Sequence, residues 1–218
     1  MHPQPLFAAA FAVCALVASS AHASPELLRS AEQGDLAGVQ RQLRSGAAVD
    51  ARDARQRTPL LLATWANHPA VAQALIAAGA DVNAKDDQQD SPYLVAGAHG
   101  RTEILKMTLA HGADLRSTNR YGGTALIPAS EKGHPEAVRL LIQAGADVDF
   151  VNKLGWTSLL EVAILGQDTT VYQDITRQLI AAKANVNLPD KNGVTALQHA
   201  RQRGLTQIVA LLVQAGAR

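Results

Sequence analysis

The chain has 218 residues and a net charge of +1, its 20 Lys and Arg offset by 19 Asp and Glu. So small a net charge sets up no long-range field, which excludes nucleic acid or an anionic membrane surface as a partner held by bulk charge. Aromatic residues make up only 4%, so a core must be built from Leu, Ile, Val and Ala.

The first residues are unlike the rest. Leu6 to Ala18 is an apolar run of 13 residues without a charge, shorter than the roughly 17–25 that a bilayer-crossing helix needs. Ala21-His22-Ala23 follows as an A-x-A cleavage signature. Together they predict a Sec-type signal peptide over residues 1–23, cleaved after Ala23, and a periplasmic or secreted mature chain with no stable membrane insertion. The run lacks a preceding Lys or Arg, so an uncleaved anchor or a misplaced start is the competing reading. Cys14, the sole cysteine, would leave with the signal. Phe11-Ala12-Val13 before it matches the lipoprotein pattern poorly. The mature chain then has no disulfide and no thiol nucleophile, and must hold together in an oxidising space by packing alone.

After residue 24, Pro25 to Gln33 reads as a helix whose Glu26, Arg29, Ser30, Glu32 and Gln33 suit one face in water. Beyond it one unit recurs. A candidate helix N-cap stands at Thr58, Ser91, Thr124, Thr157 and Thr195, spaced 33, 33, 33 and 38. A closing pair stands at Gly46-Ala47, Gly79-Ala80, Gly112-Ala113, Gly145-Ala146, Lys183-Ala184 and Gly216-Ala217, and its spacing lengthens to 38 at the same place. Two independent markers shift together. Asp53, Asp86, Asn119, Asn152 and Asp190 open the turns between units, where short polar side chains stabilise a bend.

The clearest copy is Gly122 to Asp149. Thr124 caps a short helix that stops at Gly133. Pro135 starts a second at the position with no N–H to lose. Val138, Leu141 and Ile142 put one apolar face on it, and Gly145 ends it where a left-handed residue is needed. One such unit buries too little to fold alone and needs copies beside it.

The 33-residue period and the Thr58-Pro59-Leu60 start resemble the ankyrin repeat, over nearly all of the chain after residue 24. The resemblance implies an all-α solenoid in one domain. About six helix–turn–helix repeats with short β-hairpin-like turns fall at about 24–52, 53–85, 86–118, 119–151, 152–189 and 190–218. It also implies a concave protein-binding face lined by turn tips and the exposed ends of the first helices, without saying what is bound.

Three departures stand out. Gln56 and Gln89 replace the glycine found at Gly122, Gly155 and Gly193, so those turns are less ideal if they need φ > 0. The repeat at 152–189 carries five extra residues within Gly166 to Tyr172, between its helices, and Lys183 stands where other repeats have glycine. The His that the family places after Thr-Pro-Leu is Leu61, Leu94, Ile127, Leu160 and Gln198 here, so its hairpin-to-helix hydrogen bonds must be absent or replaced.

No motif for a nucleophile, metal or phosphate occurs, so no enzyme, cofactor or metal site is expected. His68 and His134 read as turn residues and His99 as a surface residue. Repeat register instead assigns partner contacts to Arg55, Arg57, Trp65, Asp87, Gln88, Asp90, His99, Arg120, Tyr121, Lys132, Leu154, Trp156 and Leu165. Tyr121, Leu154, Trp156 and Leu165 come from adjacent repeats and would form one apolar patch. Alternatively, Trp156 and Leu165 pack on the longer loop. The expected function is a monomeric, non-catalytic binder of one protein, such as a periplasmic enzyme or toxin. A secreted effector acting on host proteins and a self-assembling structural protein are the other readings.

Overall fold

The computed structural model describes residues 25–218. The export signal, its cleavage after Ala23, and Cys14 lie outside the described residues. Among those described, twelve helices follow one another in pairs. They are α1 (Pro25–Gln33) and α2 (Leu36–Arg44), α3 (Pro59–Trp65) and α4 (Pro69–Ala77), and α5 (Pro92–Ala98) and α6 (Thr102–Ala110). The later pairs are α7 (Leu126–Glu131) and α8 (Pro135–Gln143), α9 (Ser158–Leu165) and α10 (Thr170–Ala181), and α11 (Ala196–Gln202) and α12 (Thr206–Gln214). The first helix of each pair packs on the first helices of its neighbours, and the second helices do likewise. The result is a two-layered, all-α solenoid. The only extended pairing among the described residues is an isolated antiparallel bridge between Pro189 and Thr195.

The periodic positions explain the stacking. Leu60, Tyr93, Leu126, Leu159 and Leu197 are buried at the same place in successive first helices. Ala63, Ala96, Ala129 and Ala200 recur at another buried place, their small side chains letting adjacent helices approach closely. Val138 and Leu141 are fully buried on α8. One continuous core runs from Leu27 to Leu212.

Thr58, Ser91, Thr157 and Thr195 cap their helices, each side chain accepting the backbone N–H three residues on. Thr124 does not. Its hydroxyl is buried without a hydrogen-bond partner, and the helix begins only at Leu126. The cause is Pro128. In the other four repeats the residue four after the cap donates its N–H to the cap carbonyl, as Leu62 does to Thr58 and Val95 to Ser91 at 3.0 and 2.9 Å. Proline has no N–H to give, so the first turn slackens.

The second helices end as the glycines require. Gly145 has φ 92°, and Lys183 is forced into the same left-handed region at φ 70°. Gln56 and Gln89 also keep positive φ, at 60° and 63°. The five extra residues do not stay in a loop. Thr170, Val171 and Tyr172 form the first turn of α10, which is 12 residues long where α8 and α12 have 9. Only Gly166 to Thr169 remain between α9 and α10.

Candidate functional site

The turn tips are held by one repeated device. Asp53, Asp86, Asn119, Asn152 and Asp190 each use Oδ1 to accept the N–H groups two and four residues on. A carboxylate or amide oxygen thus fixes the conformation of the tip, and with it the direction of the residues between. Adjacent tips are tied together. Asp87 donates its N–H to the Arg55 carbonyl at 3.2 Å, and Lys153 to that of Tyr121 at 3.0 Å. Arg52 reaches the Lys85 carbonyl and Lys85 the Thr118 carbonyl, both at 2.7 Å.

These tips and the ends of α3, α5, α7 and α9 enclose three adjoining stretches of one groove. The first is lined by Arg55, Arg57, Trp65, Asp86, Asp87, Gln88, Asp90 and Arg120. The second has Trp65, Asp90, His99, Arg120, Tyr121, Glu131 and Lys132 among its walls. The third is formed by Tyr121, Ile127, Pro128, Glu131, Asn152, Leu154, Trp156, Glu161 and Leu165, with others. Every residue assigned to partner contact by register lies on this groove. Trp65, Asp90, Arg120 and Tyr121 each border two stretches and make it continuous.

The first two stretches are polar and mutually braced. Arg57 Nε donates to Asp53 Oδ2 at 2.7 Å. Arg120 lies 3.8 Å from the Asp90 carboxylate, and its guanidinium carbon is 5.0 Å from the centroid of the Tyr121 ring. Burial, and then the nearby Asp86 charge, raise the Asp90 carboxyl above its usual range, with Arg120 and Lys132 opposing. His99 is not a free surface residue. It is half-buried and packs edge-on against Trp65, with ring centroids 4.6 Å apart. Removal from water, then the charges of Lys132 and Arg101, push its imidazole down to about 4. At neutral pH it is therefore uncharged, free to accept from Lys132 Nζ at 3.5 Å.

The third stretch is more apolar. Tyr121, Leu154 and Leu165 are 55%, 48% and 46% exposed, and all three face the same space as the partly buried Trp156. The alternative in which Trp156 and Leu165 pack on the longer loop does not describe Leu165. Tyr172, from that segment, packs instead beside α7 and donates its hydroxyl to the Glu131 carbonyl at 2.9 Å.

Sequence reasoning missed Glu161. It sits on α9 at only 4% exposure. Its Oε1 accepts from Asn152 Nδ2 at 3.0 Å, and its Oε2 is buried with no partner. Removal from water first, and the Glu131 charge second, push the carboxyl up to about 7. The Asn152–Glu161 bond spans nine residues, as does the bond between Asp190 and His199 at 2.9 Å. Both tie a hairpin to its helix and replace the family's missing histidine from one position further along. The sequence signal was a lone carboxylate inside Leu159-Leu160-Glu161-Val162-Ala163.

Among the described residues no group of three or more His, Cys, Asp or Glu is placed to hold a metal ion, and no helix is long and apolar enough to cross a membrane.

The sequence model of the family described as ankyrin repeats (3 copies) matches residues 27–119 and 93–173. The chain is similar to the crystal structure of an ankyrin repeat domain from Acinetobacter baumannii AYE, with 56% identity, a TM-score of 0.85, and coverage of 88% of this chain and 98% of that one. A second solved ankyrin repeat protein shares 44% identity at TM-score 0.83, covering 87% of this chain and 96% of the other. The ankyrin repeat domain of Bcl-3, described as a member of the IkappaB protein family, shares 31% identity at TM-score 0.79, covering 88% of this chain and 86% of that domain. No curated protein matches the sequence.

Proposed function

Because the chain belongs to the ankyrin repeat family, we propose that it is an exported, non-catalytic module that binds one protein partner through its concave groove. Ankyrin repeats are in general protein–protein interaction modules. The observation that carries the reading here is the continuity of the groove from Arg55 to Leu165, with Trp65, Tyr121 and Trp156 spread along it. Aromatic residues bury large areas at small entropic cost and dominate binding hot spots. The tips that carry them are preset by side-chain hydrogen bonds to the backbone, so little ordering is left to be done on binding.

A photo-crosslinking benzophenone amino acid in place of Tyr121, introduced in the cell that makes the protein, tests this directly. One discrete protein adduct is expected from position 121 and none from the same residue in place of Arg41, which is on α2 and exposed. Equal labelling from both positions, or from neither, overturns the proposal. Export is tested on the same material. The mature chain should begin at Ser24 by intact mass, and retention of Met1 contradicts it.

A further inference from the structure

The third stretch of the groove carries a chemical preference that the first two lack. Its walls are Tyr121, Leu154, Trp156 and Leu165, and Glu161 also lines it. Glu161 Oε2 is the unusual atom. Buried carboxylate oxygens find donors almost without exception, because an unpaired one loses its hydration for nothing in return. Here Asn152 serves Oε1 and nothing serves Oε2. Glu131, at the end of α7, lines the same space and is a second acidic group beside Glu161.

The nearby cations are committed elsewhere. Arg203, just after α11, donates to the Gly166 and Ala163 carbonyls at 2.7 and 3.2 Å. Lys153 donates to the Arg120 carbonyl at 3.1 Å, and Lys132 is turned toward His99. None forms an ion pair with Glu131 or Glu161 among the described residues. The site therefore has two acidic groups, an orphaned acceptor and an aromatic–aliphatic rim, in a recess of about 230 Å³.

We infer that this recess receives one Lys or Arg side chain of the partner protein, its aliphatic stem against Trp156, Tyr121 and Leu165 and its charged end on Glu161 and Glu131. A long basic side chain is the group that satisfies both halves of the site, since its stem is apolar and its tip carries several donors. Aromatic faces at the rim add cation–π attraction. The inference rests on the groove being the binding face and specifies what that face selects.

The test uses a displayed library of random linear 12-residue peptides, panned against the immobilised full chain and counter-screened on the Tyr121→Ala, Trp156→Ala double variant. Peptides that bind only the unmodified chain should share a Lys or Arg flanked by apolar residues. For one such peptide, replacing its basic residue with neutral norleucine should weaken binding to the unmodified chain about tenfold, the scale of one charge-assisted hydrogen bond. The same replacement should weaken binding to the Glu161→Gln variant by less than about twofold. The peptide-side change cannot unfold the protein, so it remains informative if Glu161→Gln lowers stability. Groove-dependent peptides without a basic residue, or equal losses on both proteins, overturn the inference while leaving the groove as binding face. Absence of any groove-dependent peptide overturns both.

Discussion

The carboxylate of Asp168, between α9 and α10, accepts the hydroxyl of Thr206 at 3.0 Å, across 38 residues of sequence. It also accepts the backbone N–H groups of Gln207 and Ile208 at 2.9 and 3.2 Å. The first turn of α12 has no cap from its own N-cap residue, Leu205, so the segment between α9 and α10 in the preceding repeat supplies one. Partial removal from water works to raise the Asp168 carboxyl, but these hydrogen bonds outweigh it and hold the group below its ordinary value. With Tyr172 bonded to the Glu131 carbonyl and Arg203 to that of Gly166, the insertion clasps three consecutive repeats. Asp168→Ala should therefore destabilise the fold by about 1–2 kcal/mol, the cost of losing a helix N-cap. Urea titration measures it, and a change within the few tenths typical of surface sites would show the clasp to be inert.

Glu161 gives the fold a pH dependence of definite sign. Its folded value is about 7 against an ordinary 4.5, so the charged form is disfavoured by folding. Below pH 4.5 the group is neutral in both states and costs nothing. As pH rises from 4.5 to about 7 the unfolded chain ionises here while the folded one resists, which removes up to about 3 kcal/mol and leaves nothing more to lose above that. His99, held down to about 4, acts oppositely and costs stability as pH falls from 6.5. The difference between the unmodified chain and Glu161→Gln isolates the carboxyl, facing only Glu131 and the Asn152 amide. Melting midpoints at pH 5 and pH 8 should diverge, with the variant gaining at pH 8. Parallel profiles would place the Glu161 carboxyl in contact with water.

Lys183 occupies a left-handed backbone at φ 70° with its side chain exposed. Glycine carries no Cβ penalty there, though its unfolded chain is freer. Lys183→Gly should raise stability by a few tenths to about 1 kcal/mol. An unchanged or lower melting midpoint would mean that Lys183 gains something from its surroundings that offsets the strain.

Leu141→Ala probes the stacking itself. Leu141 is fully buried on α8, with α6 and α10 on either side. Loss of its side-chain carbons should cost roughly 2–4 kcal/mol by denaturant titration. A loss under about 0.5 kcal/mol, the surface scale, would contradict the register.

What the sequence made legible was whatever repeats. Thr58, Ser91, Thr157 and Thr195 cap as their spacing predicts, and the Asp or Asn at each hairpin fixes the tip that carries the groove residues. What it concealed depended on singular residues. Pro128 follows the apolar Ala125-Leu126-Ile127 without drawing notice, yet it has no N–H to give the Thr124 carbonyl, and the cap at Thr124 is lost. Residues 170–172 look like loop beside Gly166, but continue the periodicity of α10 backwards and become helix. Glu161 hides because apolar neighbours make its segment read as core. Only the fold reveals that the residue lines the groove and that its second oxygen is buried without a donor.

The central claim is that the concave groove binds and does so through its aromatic tips. Tyr121 is 55% exposed and Trp156 is only partly buried, so their joint truncation should cost little stability, most of it from Trp156. A buried aromatic anchor carries about 2 kcal/mol or more of binding energy, roughly thirtyfold in affinity. The decisive measurement is calorimetric titration of the crosslinked partner into the unmodified chain, the Tyr121→Ala, Trp156→Ala double variant, and Arg41→Ala, each checked for folding by its melting midpoint. The account predicts a folded double variant with affinity reduced at least thirtyfold, and Arg41→Ala unchanged in both respects. A folded double variant that binds as tightly as the unmodified chain would contradict it.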